Sequence, residues 1–201
     1  NKINNYGYAS LFTIRKKKVG TSKYYSGWKT LLALSANNIR YFLQLVTNSL
    51  IEHVKDKKTF AQKISAQTQT DVAAKVGEKN LLELEGLSTR GAQLMKLVLG
   101  IGQVFHQMAI QPEGHAPEIN QFEVSSKSQS QDEIVIQVNE LLHTAVMHLA
   151  LIRTSGTKLG SPGDTRDFDY MLHPIFSAFF IYSHRRKRKL TLIPEDILGI
   201  I

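Results

Sequence analysis

Ile39, Phe42, Leu43, Val46, Leu50 and Val54 recur at the spacing that puts side chains on one face of an α-helix. They predict a long amphipathic helix from about Asn38 to Asp56, with this stripe turned inward. Asn37 and Asn38 precede it, and an Asn side chain accepts hydrogen bonds from the free N–H groups of a first helical turn. Arg40 then falls in that first turn, where the helix dipole already places partial positive charge. Two readings follow. Arg40 pairs with a carboxylate or lies in water, or an anion meets both its guanidinium and the free N–H groups.

A chain of 201 residues builds one large or two small domains with a substantial core. Apolar residues make up 42% and charged residues 21%, as in soluble globular proteins. No run of about 18 apolar residues is present, so no membrane span is expected, and the first residues do not resemble a signal peptide. The chain does not begin with Met, and we expect it to be part of something longer. Without Cys, a disulfide framework and a thiolate zinc site are both excluded, and a cytoplasmic location is the default.

The formal net charge is +8, and its distribution matters more than its size. Arg15, Lys16, Lys17 and Lys18 form one basic block, and Arg185, Arg186, Lys187, Arg188 and Lys189 another. Such blocks suit a phosphate backbone through counterion release. They equally suit a solvated loop, or an edge strand protected from aggregation by its charge.

Along the chain, residues 9–14 suggest a strand running into the first basic block. Trp28 to Leu34 reads as a short helix with Trp28, Leu31 and Leu32 on one face. After the long helix, Gln62 to Thr70 is polar enough for a linker, and Asp71 to Leu87 is helical with Val72, Val76 and Leu84 inward. Gly77 costs that helix about 1 kcal/mol relative to Ala. The next helix, capped by Ser88 or Thr89, buries Leu94, Leu97, Val98, Ile101, Phe105 and Met108. Its Gly100 and Gly102 mark places where another backbone packs close.

A turn-rich loop at 112–117 leads to a short strand, Ile119 to Val124. A polar loop at 127–131 leads to a third strong helix, Asp132 to about Leu149, with Ile134, Val138, Leu141, Leu142, Ala145 and Leu149 on one face. Leu151 to Thr154 and Phe168 to Leu172 then form a hairpin, with Phe168, Tyr170 and Leu172 inward and Asp169 outward. The glycine-containing loop between them is a wing. An aromatic segment from Pro174, a strand at Leu190 to Leu192 and a final helix opened by Pro194 complete the chain. Helix, strand, helix and two-stranded wing is the order of a winged-helix domain.

Several chemistries are absent. No Gly-x-x-x-x-Gly-Lys-Ser/Thr loop and no apolar run ending in Asp-Asp or Asp-Glu is present, so this chain by itself is not expected to hydrolyse ATP. His143 and His148 fall on different helix faces, and Glu140-x-x-His143 lacks the second motif a di-iron bundle needs. Asp164, Asp167 and Asp169 lack the pattern of a calcium loop. His173, before Pro174, either bonds a backbone group or is merely compatible with the turn.

Asn38-Ile39-Arg40, after a short helix and before a long apolar one, resembles the start of the helical lid in AAA+ ATPases of the origin-recognition type. In that family Gly-Asn-x-Arg opens a lid helix, and the Arg senses the terminal phosphates of the nucleotide. Here Asn37 stands where Gly is usual, a mild departure because Asn tolerates a left-handed backbone. The stretches 80–87, 91–94, 114–120 and 172–176 are also similar to the C-terminal part of such proteins in bacteria, some of which accompany antiphage defence systems. The resemblance covers the chain from about Tyr24 onward.

It implies a mainly α protein with small β elements: residues 1–66 as the end of an AAA+ core and a helical lid, and 67–201 as a winged-helix-like domain. It implies Arg40 and Asn38 as nucleotide-sensing residues, with ATP and Mg held by a core upstream of this chain. Nucleic-acid contact would fall to Arg15, Lys16, Lys17, Lys18, Lys158, Arg166, Arg185, Arg186, Lys187, Arg188 and Lys189. The helix from Asp132 carries no Lys or Arg but has Asp132, Glu133 and Glu140, so phosphates would repel it and DNA would be bound without base specificity. The partners implied are a second copy of the chain or an effector protein of a defence complex, and DNA. The alternative is a non-enzymatic winged-helix docking module that holds an effector through the acidic helix and the Ile175 to Tyr182 segment.

Overall fold

A computed structural model of the chain describes residues 23–56, 59–110, 118–125, 132–155 and 168–201. The strand expected at 9–14, the first basic block, the loops at 112–117 and 127–131 and the wing with Lys158, Asp164, Arg166 and Asp167 lie outside these residues. What is described is mainly helical with a small four-stranded sheet.

The chain opens with α1 (Trp28–Ser35) and α2 (Ile39–Lys55). Between them Ala36 and Asn37 both adopt left-handed backbone, at φ 45° and 66°. Asn tolerates that region because its short polar side chain bonds locally; Ala has no such help. Asn38 is the N-cap, and its Oδ1 accepts from the N–H groups of Arg40 at 3.0 Å and Tyr41 at 3.4 Å. The extent of α2 is therefore as expected, but of the apolar stripe only Phe42 and Val46 pack against the core. Tyr41, Leu45, Ser49 and His53 are buried, whereas Ile39, Leu43, Leu50 and Val54 are exposed. Buried polar groups on this face find local partners: Ser49 donates to the Leu45 carbonyl at 2.7 Å, and His53 Nε2 bonds the Thr59 carbonyl at 3.0 Å. On α1, likewise, Leu31 and Leu34 are buried while Trp28 and Leu32 face solvent.

Of the expected linker at Gln62 to Thr70, only residues 62–65 are non-helical; 66–70 already belong to α3 (Ala66–Glu83), which is capped by Ser65, whose Oγ accepts from the Thr68 N–H at 3.0 Å. Val72, Val76 and Leu84 point inward, as their spacing requires. A 3-10 turn (Leu84–Gly86) joins α3 to α4 (Gly91–Ile110). On α4 all the expected apolar residues are buried except Met108, which is exposed. Gly102 faces the Phe180 ring and Gly100 the side chain of Ile200, so side chains rather than a backbone fill those gaps. Gly77 on α3 does meet backbone: a Cβ there would lie 2.8 Å from the Ile175 carbonyl oxygen.

The sheet comprises β1 (Ile119–Val124), β2 (Leu151–Ser155), β3 (Phe168–Leu172) and β4 (Arg188–Leu192), in the order β2-β3-β1-β4. β3 is antiparallel to both β2 and β1, and with α5 (Asp132–Met147) these strands make the winged-helix-like unit. β4 adds parallel to β1 at the other edge. On α5 Val138, Leu141, Leu142 and Ala145 are buried, but Leu149 follows the helix in left-handed backbone and is exposed. Asp169 is buried, against the expected alternation. It stands opposite Glu123 of β1, and Lys189 bonds both carboxylates, at 2.8 Å in the case of Asp169.

A 3-10 turn (Pro174–Phe176) and α6 (Ser177–Phe180) follow β3, and α7 (Pro194–Ile200) ends the chain. Ile175, Phe176, Phe180 and Tyr182 are buried in the core, where Phe105 meets Tyr182 edge-on at 5.5 Å. The Ile175 to Tyr182 segment is therefore core and not a docking surface. One hydrophobic core joins Leu34 and Leu45 before residue 66 to Val72, Leu97, Phe122 and Phe176 after it.

Candidate nucleic-acid interface

Five consecutive cations repel one another, and a free loop carrying them would extend into water. In this structure the segment from Ser183 to Arg188 is instead held by residues 118–121. Asn120, fully buried, uses both ends of its side chain. Its Nδ2 donates to the Ser183 and Arg185 carbonyls at 2.5 and 2.7 Å, and its Oδ1 accepts from the Lys187 N–H at 2.8 Å. Gln121 donates to the Lys187 carbonyl, and the Arg188 N–H reaches the Glu118 carbonyl at 3.3 Å. Glu118 Oε1 accepts from the Ser183 N–H, and Ser183 Oγ accepts from the Arg185 N–H at 3.2 Å.

Glu118 also binds Lys23 at 2.9 Å, and both side chains are only 3% exposed. Burial pulls the Lys23 ammonium below its ordinary value, and the carboxylate opposes that shift. His184 lies in the same loop. Burial, then the charges of Arg185, Lys23 and Lys187, push it down to about 4, so at neutral pH it adds no charge.

The second basic block is thereby divided. Arg185, Arg186 and Arg188 are exposed and make no ion pair among the described residues. Lys187 is half-buried. Lys189 faces the other way, into Glu123 and Asp169; hydrogen bonds to Asp169 and Glu123 raise its ammonium above the ordinary lysine value. Arg15, Lys16, Lys17, Lys18, Lys158 and Arg166 lie outside the described residues.

A family model described as ORC-CDC6-like matches residues 1–192. The chain belongs to the ORC-CDC6-like family. Comparison with curated proteins and with solved structures found no match. Membership makes this an origin-recognition-type, AAA+-related protein.

The other residues expected to act in this ORC-CDC6-like chain, Asn38 and Arg40, sit at the start of α2. Arg40 donates to Glu83 at 2.9 Å, and its side chain is 63% exposed. Lys79 approaches the same carboxylate at 3.7 Å. Two of the N–H groups expected to await an anion are taken: Asn38 accepts from those of Arg40 and Tyr41. Asn38 is thus a cap for the N–H groups of Arg40 and Tyr41. By themselves these residues are not a cradle for ATP and Mg. Among the described residues no three His, Asp or Glu side chains gather to hold a metal, and no helix is long and apolar enough to cross a membrane.

Sequence reading found the basic block but missed the groups that shape it: Lys23, Glu118, Asn120, Gln121 and Ser183. A signal was present. Asn and Gln in adjacent positions of a short strand are poor strand formers, and such residues persist where a side-chain amide bonds backbone.

Proposed function

We propose that this ORC-CDC6-like chain is the lid and winged-helix-like regulatory region of an AAA+ ATPase, and that it contacts DNA through the phosphate backbone. The observation that carries the DNA contact is the held loop with Arg185, Arg186 and Arg188 exposed and without ion-pair partners among the described residues. Guanidinium groups suit phosphate oxygens because their planar fork donates two parallel hydrogen bonds. The overall charge of +8 favours the same partner. The first basic block, Arg15 to Lys18, is included in the same proposal for its charge alone.

The apolar face left exposed on α1 and α2 supports the lid reading. Trp28 is 64% exposed, Ile39 69% and Leu43 54%, and an exposed face of this kind marks a protein contact. In this reading the nucleotide-binding core of the ATPase covers it and holds ATP and Mg. Arg40, at the start of the same helix, reaches the terminal phosphates when its pair with Glu83 opens. An exposed ion pair is worth at most about 1 kcal/mol, so opening it costs little. By family resemblance, the partner is an effector protein of an antiphage defence complex or a second copy of the chain.

Fluorescence anisotropy with two duplex DNAs of unrelated sequence tests the DNA contact. Both duplexes are expected to bind with similar affinity, which falls steeply with salt. Replacing Arg185, Arg186 and Arg188 together by Gln should make the slope of log K against log salt shallower by about 2 to 3. Equal binding and an equal slope in the variant would remove the loop from the interface.

A further inference from the structure

The cations of the Ser183 to Arg188 loop are presented by a backbone that has no secondary structure before β4 begins. Loops of this charge normally bind phosphate only after being ordered by the ligand, which lowers affinity. Here the ordering is already built in. Seven hydrogen bonds hold the segment, six of them from Glu118, Asn120 and Gln121 and one from Ser183. The amides of Ser183, Arg185, Lys187 and Arg188 and the carbonyls of Ser183, Arg185 and Lys187 are all engaged. The pattern leaves the side chains of Arg185, Arg186 and Arg188 outside and the backbone polar groups inside.

Asn120 is the centre of this arrangement. It alone bonds three successive odd-numbered positions, Ser183, Arg185 and Lys187, with one buried amide. An Asp in its place would keep the acceptor and lose both donors, and an apolar residue would lose all three bonds.

We infer that Asn120 is a positioning residue that pre-forms the Arg185 to Arg188 loop for the phosphate backbone of DNA. The inference rests on the DNA-contact reading above. Asn120 touches no phosphate itself; it acts by removing the cost of ordering the loop. Glu118 and Gln121 support it from the two sides.

The test uses the full chain and a duplex DNA of arbitrary sequence. Anisotropy titrations compare wild type, Asn120→Asp, Asn120→Leu, Gln121→Leu and the Arg185/Arg186/Arg188 Gln variant. Amide hydrogen exchange of Lys187 and Arg188 is read beside that of α4. Asn120→Leu is expected to weaken DNA binding by about tenfold and to lose protection at the loop amides, with exchange in α4 unchanged. Asn120→Asp should lie between, with Lys187 still protected. Gln121→Leu, at a half-buried position, removes one bond and should show a smaller loss of the same kind, so it carries the test if Asn120→Leu does not fold. If wild type binds DNA, the Gln variant loses it and the Asn120 and Gln121 variants match wild type, the positioning role is overturned while the DNA contact stands. If wild type does not bind the duplex, the DNA contact itself is overturned.

Discussion

His173 follows β3 and caps the 3-10 turn with its ring buried, and its Nδ1 accepts from the Ile175 N–H at 3.2 Å. Tyr41 of α2 meets the ring edge-on at 4.9 Å. Beside Pro174 the sequence left this bond as one of two readings, and the structure decides for it: a side chain bonding the backbone two residues on is local chemistry. The burial was not, because it depends on α2. Burial holds the imidazole down to about 4, against an ordinary 6.5. The folded state keeps the ring neutral, while the unfolded chain takes up a proton below about 6.5. Stability is therefore full above that pH and falls as pH drops toward 4. The contribution is at most about 3 kcal/mol. Urea denaturation at pH 7.5 and pH 5 should show the loss, and His173→Gln should reduce its pH dependence. An unchanged pH dependence in the variant would place the titration elsewhere, His184 being the next group of this kind.

Helix α2 was legible in extent and only partly in orientation: Phe42 and Val46 pack against the core, and Ile39, Leu43, Leu50 and Val54 are exposed. Its start is set by Asn38 and its end by Asp56, both local devices. Its apolar residues make a stripe that composition alone would bury. The structure buries Tyr41, Leu45, Ser49 and His53 instead, spaced four apart. Periodicity identifies a helix face but not its neighbour. The two faces are separable by mutation. Leu45→Ala, at a fully buried site, should cost about 2 to 5 kcal/mol. Leu43→Ala, two residues away, should change stability by less than about 0.5 kcal/mol. Denaturant midpoints of the two variants check this; equal losses would put the expected stripe inward after all.

At the scale of the molecule, the segment from Lys23 to Gly27 ties distant parts together. Lys23 pairs with Glu118 across 95 positions, and the Tyr25 hydroxyl donates to the Tyr182 carbonyl at 2.6 Å. The Tyr25 N–H reaches Thr70 Oγ1 at 2.9 Å, and the Gly27 N–H reaches Gln69 Oε1 at 2.8 Å. Sheet, α3 and basic loop thus share one anchor. Removing one member of a buried ion pair leaves the other charge without compensation, so Lys23→Met should cost about 3 to 5 kcal/mol. Adding Glu118→Gln should recover part of that loss. Thermal denaturation of the single and double variants measures both, and a Lys23→Met protein as stable as wild type would show the pair to be dispensable.

The sequence by itself determined what local chemistry decides: the helix at Asn38 and its cap, the buried stripes of α3 and α4, the hairpin strands and the charge of the second basic block. Each depends on residues within a turn or two of one another. Only the tertiary structure decided which face of α2 packs, that Lys189 faces Glu123 and Asp169, and that Arg40 pairs with Glu83. It also decided that Asn120 holds a loop more than sixty positions away. These are long-range pairings between polar groups, and neither spacing nor hydropathy along the chain encodes which partner a buried amide or carboxylate will find.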